Sequence, residues 1–202
     1  MDLTLNEQII HKVYVAFYQR PADPEGLAFW LDQIEQAGSW QAVSAAFAAP
    51  ENEEFQALFG DKTREETVAE IYQSSFNRAA VQEEVDFWVN SEFSDADLAF
   101  AIVNGAQNDD LATMNNKVAY SAELASQLED NAAYAELNAS SDVQTQLAGI
   151  DKDSVVTAES VAQVLVDNGI GGVAGDTFSL TAGADDVING TTESDLFDGS
   201  AD

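Results

Sequence analysis

The most regularly spaced carboxylates stand at the end of the chain. In Gly183-Ala-Asp-Asp-Val-Ile-Asn-Gly190-Thr-Thr-Glu-Ser-Asp-Leu-Phe-Asp-Gly199, the residues Asp195, Leu196, Phe197, Asp198 and Gly199 fall nine positions after Asp186, Val187, Ile188, Asn189 and Gly190. Each unit reads acid, two apolar residues, Asx, glycine. In a stacked β-roll a nine-residue unit makes a half-turn in which glycine permits the bend, Asp oxygens face a cation and an apolar side chain points inward. Calcium suits such a site because it is a hard ion that accepts several oxygen ligands in flexible geometry. Asp185, Asp186, Asn189, Asp195 and Asp198 are therefore the candidate metal ligands, with Ca2+ as the expected cofactor. About three stacked units are needed before such a roll holds itself up, and the next one begins only at Gly199, just before Asp202. The chain is therefore expected to be the N-terminal part of a longer protein, with a roll started but not built. A solvated acidic tail is the alternative reading.

Elsewhere reactive groups are sparse. There is no cysteine and a single histidine, His11, so neither a disulfide frame, a thiol zinc site nor a histidine metal cluster is available. No Gly-x-Ser-x-Gly and no phosphate loop occurs, and His11 has no partner by motif. The chain is not expected to be an enzyme. Seven Lys and Arg oppose 37 Asp and Glu, a formal net charge of -30. Such a surface repels phosphate and anionic lipid, which argues against nucleic acid and membrane surfaces as partners and leaves cations, neutral glycans and basic surfaces. No segment approaches the roughly 20 apolar residues of a membrane span, so membrane insertion is not expected. The N-terminus, Met1-Asp-Leu-Thr-Leu-Asn-Glu, lacks the basic flank and apolar run of a secretory signal. If the protein is exported, its address must lie further on.

The elements that would carry these groups are mainly α-helical. From Leu5 to about Tyr134 apolar residues recur at three and four, as in Val13, Phe17 and Val68, Ile71, Tyr72, Phe76. One segment occurs twice. Val13-Tyr14 through Tyr18-Gln-Arg20 to Leu27-Ala-Phe29-Trp30 matches Ile71-Tyr72 through Phe76-Asn-Arg78 to Val85-Asp-Phe87-Trp88, each pair 58 positions apart. Each copy reads as a helix ending near the arginine, a turn, and a second helix carrying Phe-Trp. Asp23 reads as an N-cap with Pro24 at the first helical position, whereas Ala79-Ala-Val-Gln-Glu in the second copy predicts a looser turn. The arginines complement helix C-termini and the Phe-Trp pairs pack on the aromatic stripes. The other reading of Arg20, Asp23, Trp30, Arg78 and Trp88 is a glycan site, with aromatic faces stacking on pyranose rings and Arg and Asp bonding hydroxyls.

The fold expected is thus mainly α, with a two-fold internal repeat and a short β segment at the C-terminus. Residues 1–136 form the helical domain, in two related units of about 5–60 and 63–136. Residues 137–175 form a helical and Gly-rich junction: Ser154 to Leu165 predicts one helix, ended by Asn168-Gly169. Asp151-Lys-Asp153-Ser lacks the acid and glycine of a calcium-hand loop and reads as helix capping instead. In residues 176–202, Asp176-Thr-Phe178-Ser-Leu180-Thr alternates as a strand before the nine-residue repeat.

Tyr18-Gln-Arg20-Pro-Ala-Asp23-Pro-Glu-Gly26-Leu-Ala-Phe-Trp30 resembles the Gly-Arg-x-Pro-Asp-x-x-Gly-x-x-x-Trp motif of a helical domain of unknown function found in bacterial S-layer, RTX-type surface and other type I secreted proteins. Gln19 replaces its glycine. Pro50 to Gly60, Asn104-Gly-Ala106 and Asn115-Asn-Lys117-Val118 match its further landmarks, so the resemblance covers about residues 5 to 135. The tail units resemble the RTX nonapeptide repeat, although Thr191 and Glu193 stand where glycines are expected. The run Phe178 to Thr191 resembles the linker that opens the calcium-binding β portion of Gram-negative S-layer proteins. The resemblance implies a secreted, cell-surface structural protein exported by type I secretion. Its helical N-terminal domain would attach a lattice to the lipopolysaccharide O-polysaccharide, and its C-terminal β region would self-associate with calcium. The alternative is a helical interaction or spacer module of a type I secreted adhesin or enzyme.

The tail generates a direct expectation. Isothermal titration with Ca2+ gives a weak binding heat for the wild-type chain that is lost in the Asp186→Ala/Asp195→Ala variant; equal heats in both remove the site.

Overall fold

Side-chain caps set where most of the helices begin. A computed structural model describes residues 3–39, 45–49, 51–128 and 130–170. The β segment and the calcium-ligand candidates expected in residues 176–202 lie outside the described residues, as does the Gly-rich link at 171–175. The described elements are α1 (Leu5–Val13), a π-helical turn continuing it (Tyr14–Tyr18), α2 (Pro24–Ala37), α3 (Glu53–Phe59), α4 (Arg64–Phe76), α5 (Gln82–Val89), α6 (Asp95–Asn104), α7 (Asn108–Gln127), α8 (Asn131–Ala139), α9 (Asp142–Gly149) and α10 (Ala158–Asp167). The chain is mainly α-helical. Thr4 and Thr63 each close a capping box with the glutamate three residues on, Glu7 and Glu66. Asp23, Asn52, Ser94, Asp130 and Thr157 accept from the N-terminal amides of α2, α3, α6, α8 and α10. Each cap satisfies an amide that the helix itself leaves without a partner.

The helix α7 is the spine. It packs against α1, α4, α9 and α10, while α4 also meets α5, α6 and the π-helical turn. The apolar residues that recur at helical spacing face one shared interior: Ile10, Val13, Phe17, Ile71, Leu98, Ile102, Met114 and Leu124 are each at most 2% exposed. That interior continues beyond residue 136, where Leu137, Val143, Leu147, Val161 and Leu165 join the same cluster. The last helix begins at Ala158 on a Thr157 cap, and residues 154–157 lead into it without helical structure. Asp151 caps no helix. Its carboxylate accepts from the Asp153 amide and the Ser154 hydroxyl, closing an Asx turn before α10.

The 58-residue repeat is visible in the backbone. Both first helices end in a left-handed residue directly before the arginine, Gln19 at φ 54°, ψ 30° and Asn77 at φ 56°, ψ 31°. Asparagine enters that region readily, whereas glutamine does so at a cost that glycine would not carry. The two helices differ by one residue, because the span from cap to arginine runs from Thr4 to Arg20 in one unit and from Thr63 to Arg78 in the other. The longer copy contains the π-helical turn, the form an α-helix takes when it absorbs a single extra residue.

His11, without a partner by motif, gains one by folding. It lies in the core at 1% exposure, with Nδ1 2.8 Å from Ser121 Oγ on α7. Ser121 Oγ also accepts from the Ala22 amide, at 2.9 Å. With one proton and two lone pairs, the serine hydroxyl serves the Ala22 amide and the His11 ring at once. One polar contact thus ties α1, α7 and the turn before α2. Burial depresses the His11 pKa to about 4, so between pH 4 and 6.5 the unfolded chain takes up a proton that the folded chain refuses. Stability therefore falls as pH drops through that window, by about 3 kcal/mol in all. In urea unfolding followed from pH 7 to pH 4, this component is expected to vanish in His11→Gln.

Candidate functional site

Each unit places an arginine directly after its left-handed residue, against the face of a tyrosine one and a half turns back in the preceding helix. The Arg20 guanidinium carbon lies 4.9 Å from the Tyr14 ring centroid, and Arg78 lies 4.9 Å from that of Tyr72. The tryptophan of the following helix completes each cluster: Trp88 donates its indole N–H to Tyr72 Oη at 2.9 Å, and Trp30 offsets a small part of the rise in pKa that burial gives the Tyr14 hydroxyl. The structure thus gathers Arg20, Asp23 and Trp30 around Tyr14, and Arg78 and Trp88 around Tyr72.

The acids that hold the two arginines come from different places. Arg20 donates through Nε and Nη2 to Glu54 of α3, and through Nη1 to Asp23 Oδ2, Pro21 O and Tyr134 Oη. Burial opposes its charge, but the Glu54 and Tyr134 contacts outweigh that and raise its pKa further. Asp23 is pushed up by burial, yet the Gly26 amide, Asn131 and Arg20 bring it below the ordinary aspartate value. Arg78 is held by Glu84 of α5 and Asp110 of α7, each of which receives two guanidinium bonds. The Arg78 contact holds Glu84 below its usual range.

The acid at the start of the second helix stands three residues later in the second unit than in the first. In the first, Asp23 caps α2, and residue 26 is a glycine because a Cβ there would stand 2.1 Å from Tyr14 Oη. In the second, the equivalent of Gly26 is Glu84, whose carboxylate both receives Arg78 and accepts from the Val81 amide at the start of α5. The turn expected to be looser is therefore closed by the same arginine and the same left-handed step, with its acid three residues later. The Phe-Trp pairs also divide. Trp30 and Trp88 pack against the core, whereas Phe29 and Phe87 project at 54% and 63% exposure, each edge-on to its tryptophan at 4.9 and 4.8 Å.

Two of the remaining cations, Lys117 and Arg64, also bond carbonyls at helix ends. Lys117, fully buried, donates to Ser74 O and Asn77 Oδ1 at the end of α4, and burial lowers its pKa to about 8. Arg64 spans from α4 to the carbonyls of Trp88, Val89 and Phe93. Glu54, Asp110 and Tyr134 could not be found by spacing, because each reaches its arginine from more than thirty residues away. Glu84 carried a signal, as the third residue of a helix whose first turn is acidic. Among the described residues, no three His, Cys, Asp or Glu side chains group as metal ligands. The His11–Ser121 pair lies wholly inside the core.

Removing one partner of a buried charge pair is costlier than removing an exposed one. The Arg20 side chain is 14% exposed and that of Arg78 36%. In urea unfolding, Arg20→Ala is expected to lose about 3 kcal/mol, and Arg78→Ala about 1 kcal/mol. Equal losses would mean that burial does not set the strength of these clamps. Among known proteins, no family model matches the chain, and no curated protein or solved structure is detectably similar to it.

Proposed function

We propose that the chain is the N-terminal attachment region of a secreted bacterial surface-layer protein, holding a lattice to the O-polysaccharide of lipopolysaccharide. A calcium-ordered β region and lattice self-association would follow it. The observation that carries this reading is the pair of equivalent aromatic surfaces, Phe29 on Trp30 and Phe87 on Trp88, each exposed beside an arginine cluster. Aromatic faces stack on the C–H faces of sugar rings, while neighbouring acids and amides bond hydroxyls. The net charge of -30 favours a neutral polysaccharide over the phosphorylated lipid core. The motif from Tyr18 to Trp30, which resembles that of S-layer and type I secreted proteins, coincides with one of these clusters. Calcium bound by Asp185, Asp186, Asn189, Asp195 and Asp198 would offset part of the acidic charge where the β region begins.

The test is binding of the chain to purified lipopolysaccharide with and without O-polysaccharide. Removal of the O-chains is expected to weaken binding roughly tenfold or more, a loss of about 1.4 kcal/mol. Unchanged binding, or none to either form, would favour a spacer or protein-interaction module of a secreted adhesin or enzyme.

A further inference from the structure

Lys117 carries a buried charge that no acid of the described chain answers. Of the seven Lys and Arg, Arg20, Lys62, Arg64, Arg78 and Lys152 each lie within ion-pair distance of a carboxylate. Among the described residues Lys12 and Lys117 have no such partner, and Lys12 is only half-buried whereas Lys117 is fully enclosed. The Lys117 Nζ donates to Ser74 O and Asn77 Oδ1, each at 2.6 Å. Bonds that short to neutral oxygens are characteristic of an ammonium, and an ammonium has a third N–H to place. The carbonyls at the end of α4 supply part of a counter-charge. The full charge still lacks one, and a buried cation without an anion against it is costly.

Lys117 stands on the wall of a cavity of about 350 Å3 lined from α4 and α9. Apart from an apolar strip at Leu147 and Ala148, the wall is amide and hydroxyl, from residues that include Gln19, Gln73, Gln144 and Thr145. The one carboxylate lining it among the described residues, that of Glu70, is engaged elsewhere: it accepts from Gln19 at 2.9 Å and lies 3.4 Å from Lys62 Nζ. Gln144 donates its side-chain N–H groups to Asn138, but its Oε1 is buried and accepts from no group of the described chain. The cavity therefore joins an N–H that calls for an anion to an amide oxygen that calls for a donor. A carboxylate answers the first and a hydroxyl the second. The volume lies at the lower end of the roughly 300–1,000 Å3 of ligand pockets, which suits a small molecule. A net charge of -30 penalises a doubly charged anion more than a singly charged one.

We propose that this cavity binds a small hydroxycarboxylate, with its carboxylate on Lys117 Nζ and a hydroxyl donating to Gln144 Oε1. The site stands apart from the aromatic surfaces of the glycan-attachment reading and does not depend on it.

The 15N-labelled chain is titrated at pH 6, below the Lys117 pKa of about 8, with sodium lactate, gluconate, acetate and sulfate, the ionic strength being held with sodium chloride. Lactate or gluconate is expected to shift the Lys117 ammonium and Gln144 side-chain amide signals saturably. Acetate, which lacks the hydroxyl, is expected to bind roughly tenfold more weakly. The site is overturned if neither hydroxy acid gives a saturable shift, if acetate binds as tightly as they do, or if sulfate or chloride gives the same shift at the same concentration, the mark of an adventitious ion only. Lys117→Met removes the charge and is expected to weaken binding roughly tenfold or more. Thr145→Glu, at an exposed position on the same wall, brings a carboxylate of the chain's own into the cavity and is expected to weaken it as far while Lys117 stays in place. Undiminished binding by either folded variant counts against the site, and if Lys117→Met does not fold, Thr145→Glu decides alone.

Discussion

The structure depends on a guanidinium held at the end of a helix, against a tyrosine face and between two carboxylates. An arginine there does three things at once. It complements the negative end of the helix dipole, fixes the turn that reverses the chain, and draws in an acid from a distant element. In the first unit that acid is Glu54 of α3, and in the second it is Asp110 of α7. Each unit is closed by the same local device with a different long-range partner, so the duplicated helices belong to one packed interior without being interchangeable.

With so few cations, their placement decides how the charge is tolerated. Arg20, Arg78 and Arg64 stand at helix ends or turns, and Lys117 reaches the end of α4 from the middle of α7; all four bond carbonyls there. The acids take the opposite ends. Glu53 and Glu54, Glu65 and Glu66, Glu83 and Glu84, and Asp109 and Asp110 occupy first turns of α3, α4, α5 and α7. Negative charge at a helix N-terminus is stabilising. Much of the acidic excess therefore sits where the backbone welcomes it, while Arg20 and Lys117 are drawn inside.

How much of this was legible beforehand depended on range. The helical class, the repeat, the Asp23 cap and the arginines at the ends of the first helices rest on spacings within one or two helices, and periodicity reports such spacings directly. The turn before α5 read as loose because its stabilising acid, Glu84, stands inside the helix instead of ahead of it. His11 read as unpartnered because Ser121 lies far along the chain. The helices after residue 136 read as a less regular junction because they lie outside the repeat, although Leu137, Val143 and Leu147 reach the common interior.

The π-helical turn at Tyr14–Tyr18 has a mechanical consequence. One extra residue in a regular α-helix would swing everything beyond it by about 100°, carrying Arg20 away from its acids. A single wide turn takes up the surplus instead, so the Thr4 cap and the arginine both keep their stations. The first helix behaves as a strut with an expansion joint: its ends are fixed by chemistry, and its length is negotiable by one residue between them.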